Sequence, residues 1–116
     1  MSRSWPERVR DIVDAIDEIF EFTAGMTYEQ FAADRKTQKA VLTNFMIIGE
    51  AAGHLPSEVT ESYLTIPWPM MRGMRNIVVH VYFGINHETV WNTIQIDLLS
   101  VRKPLQLLLD SLPGDI

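Results

Sequence analysis

An arginine, four intervening residues, a histidine and, two positions on, a tyrosine stand together in Met74-Arg75-Asn76-Ile77-Val78-Val79-His80-Val81-Tyr82. Cleaving a phosphodiester without a metal needs a general base of near-neutral pKa and a cation that stabilises charge on the phosphorane; histidine supplies the first and arginine the second. Asn76, one helical turn before His80, is placed to orient the imidazole or to bind a substrate oxygen. Each of these side chains carries polar groups that need partners once buried, so an apolar run serving only as core would not contain them. The competing explanation is that the Arg and the His satisfy a dimer contact or cap helix ends.

The charge distribution makes this region the foremost candidate for an anionic partner. Lys and Arg number 10 against 15 Asp and Glu, a net charge of −5, so the molecule as a whole does not attract a phosphate backbone and any nucleic acid site must be a local basic patch. Arg72, Arg75, His80 and His87 mark that patch, because no carboxylate occurs from Ser62 to His87. The chain has no cysteine, which removes disulfides and thiolate zinc sites and is compatible with a reducing compartment. His54 and His87 lack the spaced partners of a zinc helix, so surface or capping roles are expected of them, and neither metal nor cofactor is expected. The apolar runs fall far short of the ~20 residues that span a bilayer, and the expectation is a cytoplasmic protein without a membrane segment.

The elements that position the motif read as helices throughout. Val9, Ile12, Val13, Ile16, Ile19 and Phe20 recur at helical spacing, with Ser4 and Glu7 as a capping box and Gly25 as a left-handed terminator, predicting a helix from about Trp5 to Ala24. Thr27 to Gln30 repeats the box and opens a short turn ending near Ala33, after which Asp34 caps a second long helix with Val41, Phe45, Ile48, Ala52 and Leu55 as its buried stripe. Pro56 and Ser57 close it, and Glu58 to Leu64 is a further short helix. Ile66-Pro67-Trp68-Pro69 introduces a third main helix, with Arg75 well inside it and its end near Phe83-Gly84. Asn86 caps the last helix, whose Trp91, Ile94, Leu98, Val101, Leu105 and Leu108 form a seam that Pro104 should bend near Ser100 to Lys103. Residues 1–116 thus read as one domain, all-α, an antiparallel bundle of four main helices with one or two short extra ones.

Helical geometry constrains the motif. At about 100° per residue, Asn76 and His80 share a face and Arg75 and Tyr82 share another, while Arg75 and His80 differ by roughly 140°. One unbroken helix does not point both at the same small target. Either the helix unwinds near His80, or a second copy of the chain supplies complementary residues across a twofold axis. Glu50, between Ile48 and Ala51, either faces the motif and orients Arg75 or lies at its helix edge. Trp68 reads as a packing anchor and not as a base-stacking platform.

The chain resembles the HepT-like toxins, small all-helical proteins within the HEPN superfamily, along nearly its whole length. The matching landmarks are the amphipathic start Arg8 to Phe22, Phe31, Ile48-Gly49-Glu50-Ala51, Ile66-Pro67-Trp68, Met74-Arg75-Asn76 with His80 and Tyr82, and Val90-Trp91. The resemblance implies a HEPN-like fold and a metal-independent endoribonuclease, the toxin of a two-gene module whose antitoxin is a small nucleotidyltransferase of the MNT type. It makes Arg75 and His80 the catalytic pair of a homodimer cleft, Asn76 the accompanying polar residue, RNA the substrate, and Tyr82 the site where the antitoxin attaches AMP; beside them the residues themselves offer Arg72, from the basic patch, and Glu50, in the case that it faces Arg75, as supporting residues. A second reading, from another class, is a non-catalytic helical subunit that docks a nucleotidyltransferase and presents Tyr82 or a substrate to it.

Overall fold

The structure is a computed structural model, which describes residues 3–82, 84 and 86–112, and for Val81 and Tyr82 the backbone alone. Its helices are α1 (Trp5–Thr23), α2 (Tyr28–Ala32), α3 (Arg35–Gly53), α4 (Ser57–Ser62), α5 (Trp68–Arg72), α6 (Met74–Tyr82), α7 (His87–Asn92) and α8 (Leu99–Asp110), with a π-helical turn, Thr93–Leu98, joining the last two. No strand occurs among the described residues, and the fold is all-α.

Local chemistry sets most of the helix starts. Ser4 and Glu7 form the reciprocal capping box of α1, with the Glu7 amide donating to the Ser4 hydroxyl. Thr27 and Gln30 do the same for α2. Asn86 accepts from the Glu88 amide at 3.0 Å to start α7. Gly25, at φ 75°, lies in the left-handed region that lets the chain turn sharply after α1.

Asp34 accepts from the Thr37 amide at 3.0 Å and from its hydroxyl at 2.8 Å, bonds that hold the Asp34 carboxyl below the usual carboxylate range. A carboxyl whose pKa is lowered on folding stabilises above its unfolded value, about 3.9 for Asp, and loses that contribution as pH falls through the folded value. Asp34→Ala should therefore melt below wild type at pH 7. The gap in Tm should close as thermal melts are taken below about pH 4.

Packing is organised around α3, which lies along α1 on one side and against α5 and α6 on the other. The stripe of Val41, Phe45, Ile48 and Ala52 is buried there, facing Val9, Ile12, Ile16 and Ile19 of α1. Each such large apolar side chain contributes about 1.5–3 kcal/mol when fully buried. Polar cross-links fix the register. Asn44 donates to Glu18 at 3.0 Å, and Gln38 donates to the carbonyls of Phe31 and Ala32, satisfying the C-terminal end of α2 from the next helix. Arg102 of α8 grips Asp17 of α1 through two nitrogens at 2.6 and 2.9 Å, and the guanidinium pKa is raised by that bond.

Three expectations are corrected. The third main helix is broken at Gly73 into α5 and α6, so Arg75 is the second residue of α6 and not well inside a long helix. Gly73 is the poorest helix former beyond the first turn, where Pro69 is tolerated; its amide ends α5 on the Pro69 carbonyl, and its own carbonyl accepts from the Asn76 amide to begin the next turn. The short α4 ends at Ser62, with Tyr63 leaving helical geometry at φ −127°, two residues before the expected Leu64. The departure expected at Ser100 to Lys103 lies one turn earlier, as the π turn at Thr93–Leu98, and α8 runs through Pro104. A π turn holds an extra residue, and with it Val90 before the turn, Thr93, Ile94 and Leu98 within it, and Val101, Leu105 and Leu108 after it all reach the core. Trp68 is an anchor as expected, 2% exposed, its indole N–H donating to the Tyr63 carbonyl.

Candidate active site

Helix α6 buries Met74 and half-buries Ile77 and Val78 against the bundle, which turns the other side outward. Arg75, Asn76, Val79 and His80 are the exposed residues of that side. Around the helix axis they stand in the order Arg75, Val79, Asn76, His80, spread over about 140°. The angle that separates Arg75 from His80 is thus the width of one solvent-facing surface, with an asparagine and a half-exposed valine between them. The helix does not unwind at His80, because helical hydrogen bonding continues to Tyr82. Of the two geometrical solutions, unwinding near His80 is removed.

Arg75 is held from α3. Its guanidinium Nη1 lies 3.2 Å from Glu50 Oε1, so Glu50 faces the motif instead of lying idle at a helix edge. Both side chains are about half exposed, and such a pair contributes at most about 1 kcal/mol to stability. Its effect is orientation: Glu50 draws the guanidinium toward α3. The other Glu50 oxygen is 3.6 Å from His54 Nδ1, which also sits 2.8 Å from the Glu50 backbone carbonyl, giving His54 its capping role at the end of α3.

The aliphatic part of Arg75 crosses α3 over Gly49. A Cβ at Gly49 would run into Arg75 Cγ and would stand 3.2 Å from Arg75 Cδ and from the Arg75 backbone nitrogen. Helices α3 and α6 come this close because Gly49 has no side chain. Spacing along the chain assigns Gly49 no task beyond its place among the family landmarks, although a glycine in mid-helix, costing about 1 kcal/mol relative to alanine, is itself a sign of close backbone approach.

Arg72 joins the same surface from α5. Together with Met46, Arg75, Asn76 and Val79 it lines a shallow depression of about 340 Å³. Met46, unnoticed in the sequence, is the apolar floor between these cations. The structure thus brings Arg72, Arg75, Asn76 and Glu50 together and places His80 at the far edge of the same exposed face. The side chain of Tyr82 lies outside the described residues; its backbone closes α6. Among the described residues no three His, Asp or Glu side chains gather to hold a metal ion, and no helix is long and apolar enough to cross a membrane.

Comparison with known proteins follows the same residues. A family model described as ribonuclease HepT-like matches residues 12–108, a span that includes Gly49, Glu50, Arg72, Arg75, Asn76, His80 and Tyr82. A chain of Thermococcus cleftensis that carries the name "Probable ribonuclease HepT" is 37% identical over 93% of this chain and 98% of its own length. A chain of Methanocaldococcus jannaschii that bears an RNase name is 34% identical over 90% of this chain and 87% of its own. Another with an RNase name, from Caldanaerobacter subterraneus, is 32% identical over 84% and 88%. No solved structure matches the chain.

Proposed function

This chain belongs to the HepT-like ribonuclease family, and on that premise we propose that it is a metal-independent endoribonuclease toxin whose site forms between two copies of the chain. The observation that carries the reading is the exposed face of α6, where a cation and an imidazole stand at opposite edges on an unbroken helix. About 7.5 Å of axial rise and 140° of rotation separate them. Two such faces brought together about a twofold axis bring two arginines and two imidazoles to one cleft. Val79, 51% exposed, and Met46 beside it give this side the apolar surface that a second copy would cover.

In that arrangement His80 takes the proton of a ribose 2′-hydroxyl as O2′ attacks the adjacent phosphorus. Arg75 stabilises the charge that accumulates on the phosphorane oxygens. The P–O5′ bond breaks, and O5′ takes a proton from the second imidazole, leaving a 2′,3′-cyclic phosphate and a 5′-hydroxyl. Asn76, one turn from His80 on the same face, orients the ring or a phosphate oxygen, and Arg72 adds positive potential beside it. No step calls on a metal, since the base and the electrophile are both side chains.

The control of this activity is assigned to a cognate nucleotidyltransferase of the MNT type, acting as antitoxin. Transfer of AMP from ATP to the Tyr82 oxygen, with release of pyrophosphate, would place a phosphodiester and a purine two residues from His80, where RNA phosphates must lie. The purified protein should cleave single-stranded RNA in the presence of EDTA and leave 2′,3′-cyclic ends. Incubation with the partner enzyme and ATP should add one AMP to the Tyr82 peptide and stop the cleavage. Intact RNA after incubation with unmodified protein would overturn the ribonuclease reading, even if the AMP adduct forms.

A further inference from the structure

A second, larger groove lies beside the α6 face. It measures about 660 Å³, within the ~300–1,000 Å³ of small-ligand sites, and runs between α3 and the residues Val78 of α6 and His87 of α7. Its cationic groups are Arg35 and Lys39 on α3, with the His87 ring opposite, and its apolar floor is Leu42, Met46 and Val78. Among the described residues no carboxylate lines it. Among the described residues neither Arg35 nor Lys39 has an ion pair or a side-chain hydrogen bond, in contrast to Arg3, Arg75 and Arg102, each of which is held by an acid.

This absence of acids has a structural origin. Helix α3 carries no Asp or Glu from Arg35 to Gly49, and the chain carries none from Ser62 to His87. The fold packs α3 directly on α5 and α6. Two acid-free segments of a chain with net charge −5 are therefore laid side by side, and the acids are left on α1, α2, the two ends of α3, α4 and the last helices, with Asp34 directly before Arg35 as the cap of α3. The groove continues into the Arg72–Arg75 depression through Met46, which lines both. Along α3 the stripe Arg35, Lys39, Leu42, Met46 ends one turn before Gly49 and Glu50, where Arg75 is held.

We propose that this groove is the binding track for the single-stranded RNA that flanks the cleavage point, with phosphates on Arg35 and Lys39 and a base against Leu42, Met46 and Val78. It rests on the ribonuclease reading above and adds a substrate subsite to it. A free strand fits and a duplex does not, because unpaired bases can reach an apolar floor, whereas an A-form duplex offers mainly phosphates and 2′-hydroxyls. Cations at the rim and apolar atoms beneath suit a backbone running along α3 with its bases turned inward.

The test measures affinity of the full-length His80→Ala protein for a labelled single-stranded RNA dodecamer, and separately the KM and kcat of otherwise wild-type enzyme. Lys39→Ala is compared with Lys103→Ala, an equal change of charge on α8. Lys39→Ala should weaken binding and raise KM severalfold while Lys103→Ala does not, and Arg35→Ala/Lys39→Ala should weaken both roughly tenfold with kcat within about twofold. The slope of log K against log salt should become shallower by about 1.4 in the double variant, at ~0.7 for each single-strand phosphate that is no longer neutralised. Equal effects of Lys39→Ala and Lys103→Ala, in an enzyme that does cleave, overturn the track and leave the ribonuclease reading standing. A change in the mass of the oligomer in the double variant overturns it too, since the groove would then be an interface between copies. Absence of cleavage with groove-dependent binding intact would instead remove the catalytic reading and keep the track.

Discussion

His80→Ala is expected to lose about 10²- to 10⁴-fold in kcat, the range contributed by a positioned general acid–base group, while melting at the wild-type temperature. The two halves of that expectation come from one placement. His80 is exposed near the end of α6, and among the described residues it makes no side-chain hydrogen bond or ion pair, so its removal leaves no buried group without a partner and no cavity. A histidine kept for packing would show the reverse, a lower Tm with activity preserved in the folded fraction. Added imidazole should restore part of the rate to the alanine variant, since a diffusible base can occupy the vacated space. Arg75→Lys separates the second role: it keeps the charge but loses the planar fork, and should fall less than Arg75→Ala. Undiminished kcat in His80→Ala would remove His80 from the mechanism.

What could be read from the chain follows how local its cause is. The caps at Ser4, Thr27, Asp34 and Asn86 depend on side chains within three residues of the amides they satisfy, and they are found where the sequence puts them. The apolar stripes of α1 and α3 depend only on spacing, and their members are buried apart from Phe20, which is half-buried at the edge of the core. The break at Gly73 is less legible, since one glycine inside an apolar stretch is compatible with a continuing helix. Pro104 announces an irregular last helix but not its position, which follows how the last helices meet α1 and α2. Least legible are relations between helices. Whether Glu50 meets Arg75 depends on the rotation of α3 against α6, which spacing within either helix cannot supply. The 140° between Arg75 and His80 is correct as an angle, yet only the packing of α6 shows it to be the breadth of a single exposed face.

The contact between Gly49 and Arg75 makes a second prediction, in which the sign of one substitution depends on another. In isolation Gly49→Ala should stabilise α3, by up to about 1 kcal/mol, because alanine is the better helix former. In the wild-type background the new methyl runs into Arg75 Cγ, and overpacking of this kind typically costs about 1–3 kcal/mol. The expected net result is a loss of about 1 kcal/mol in urea unfolding. With Arg75→Ala in place Cγ and Cδ are gone, and only the backbone nitrogen at 3.2 Å remains close, a tightness of a few tenths of an ångström. Gly49→Ala should then be neutral or stabilising, with a coupling inside the range of about 0.5–3 kcal/mol found for residues in contact. Activity should follow the side chain and not the stability. Gly49→Ala pushes the Arg75 guanidinium off its 3.2 Å approach to Glu50, and displacement of a catalytic group by about 1 Å can cost 10²-fold, so kcat should fall steeply in a protein that is still folded. The same loss of stability from Gly49→Ala in both backgrounds would show that the glycine serves the spacing of the backbones alone, and that Arg75 is placed by something other than the gap above α3.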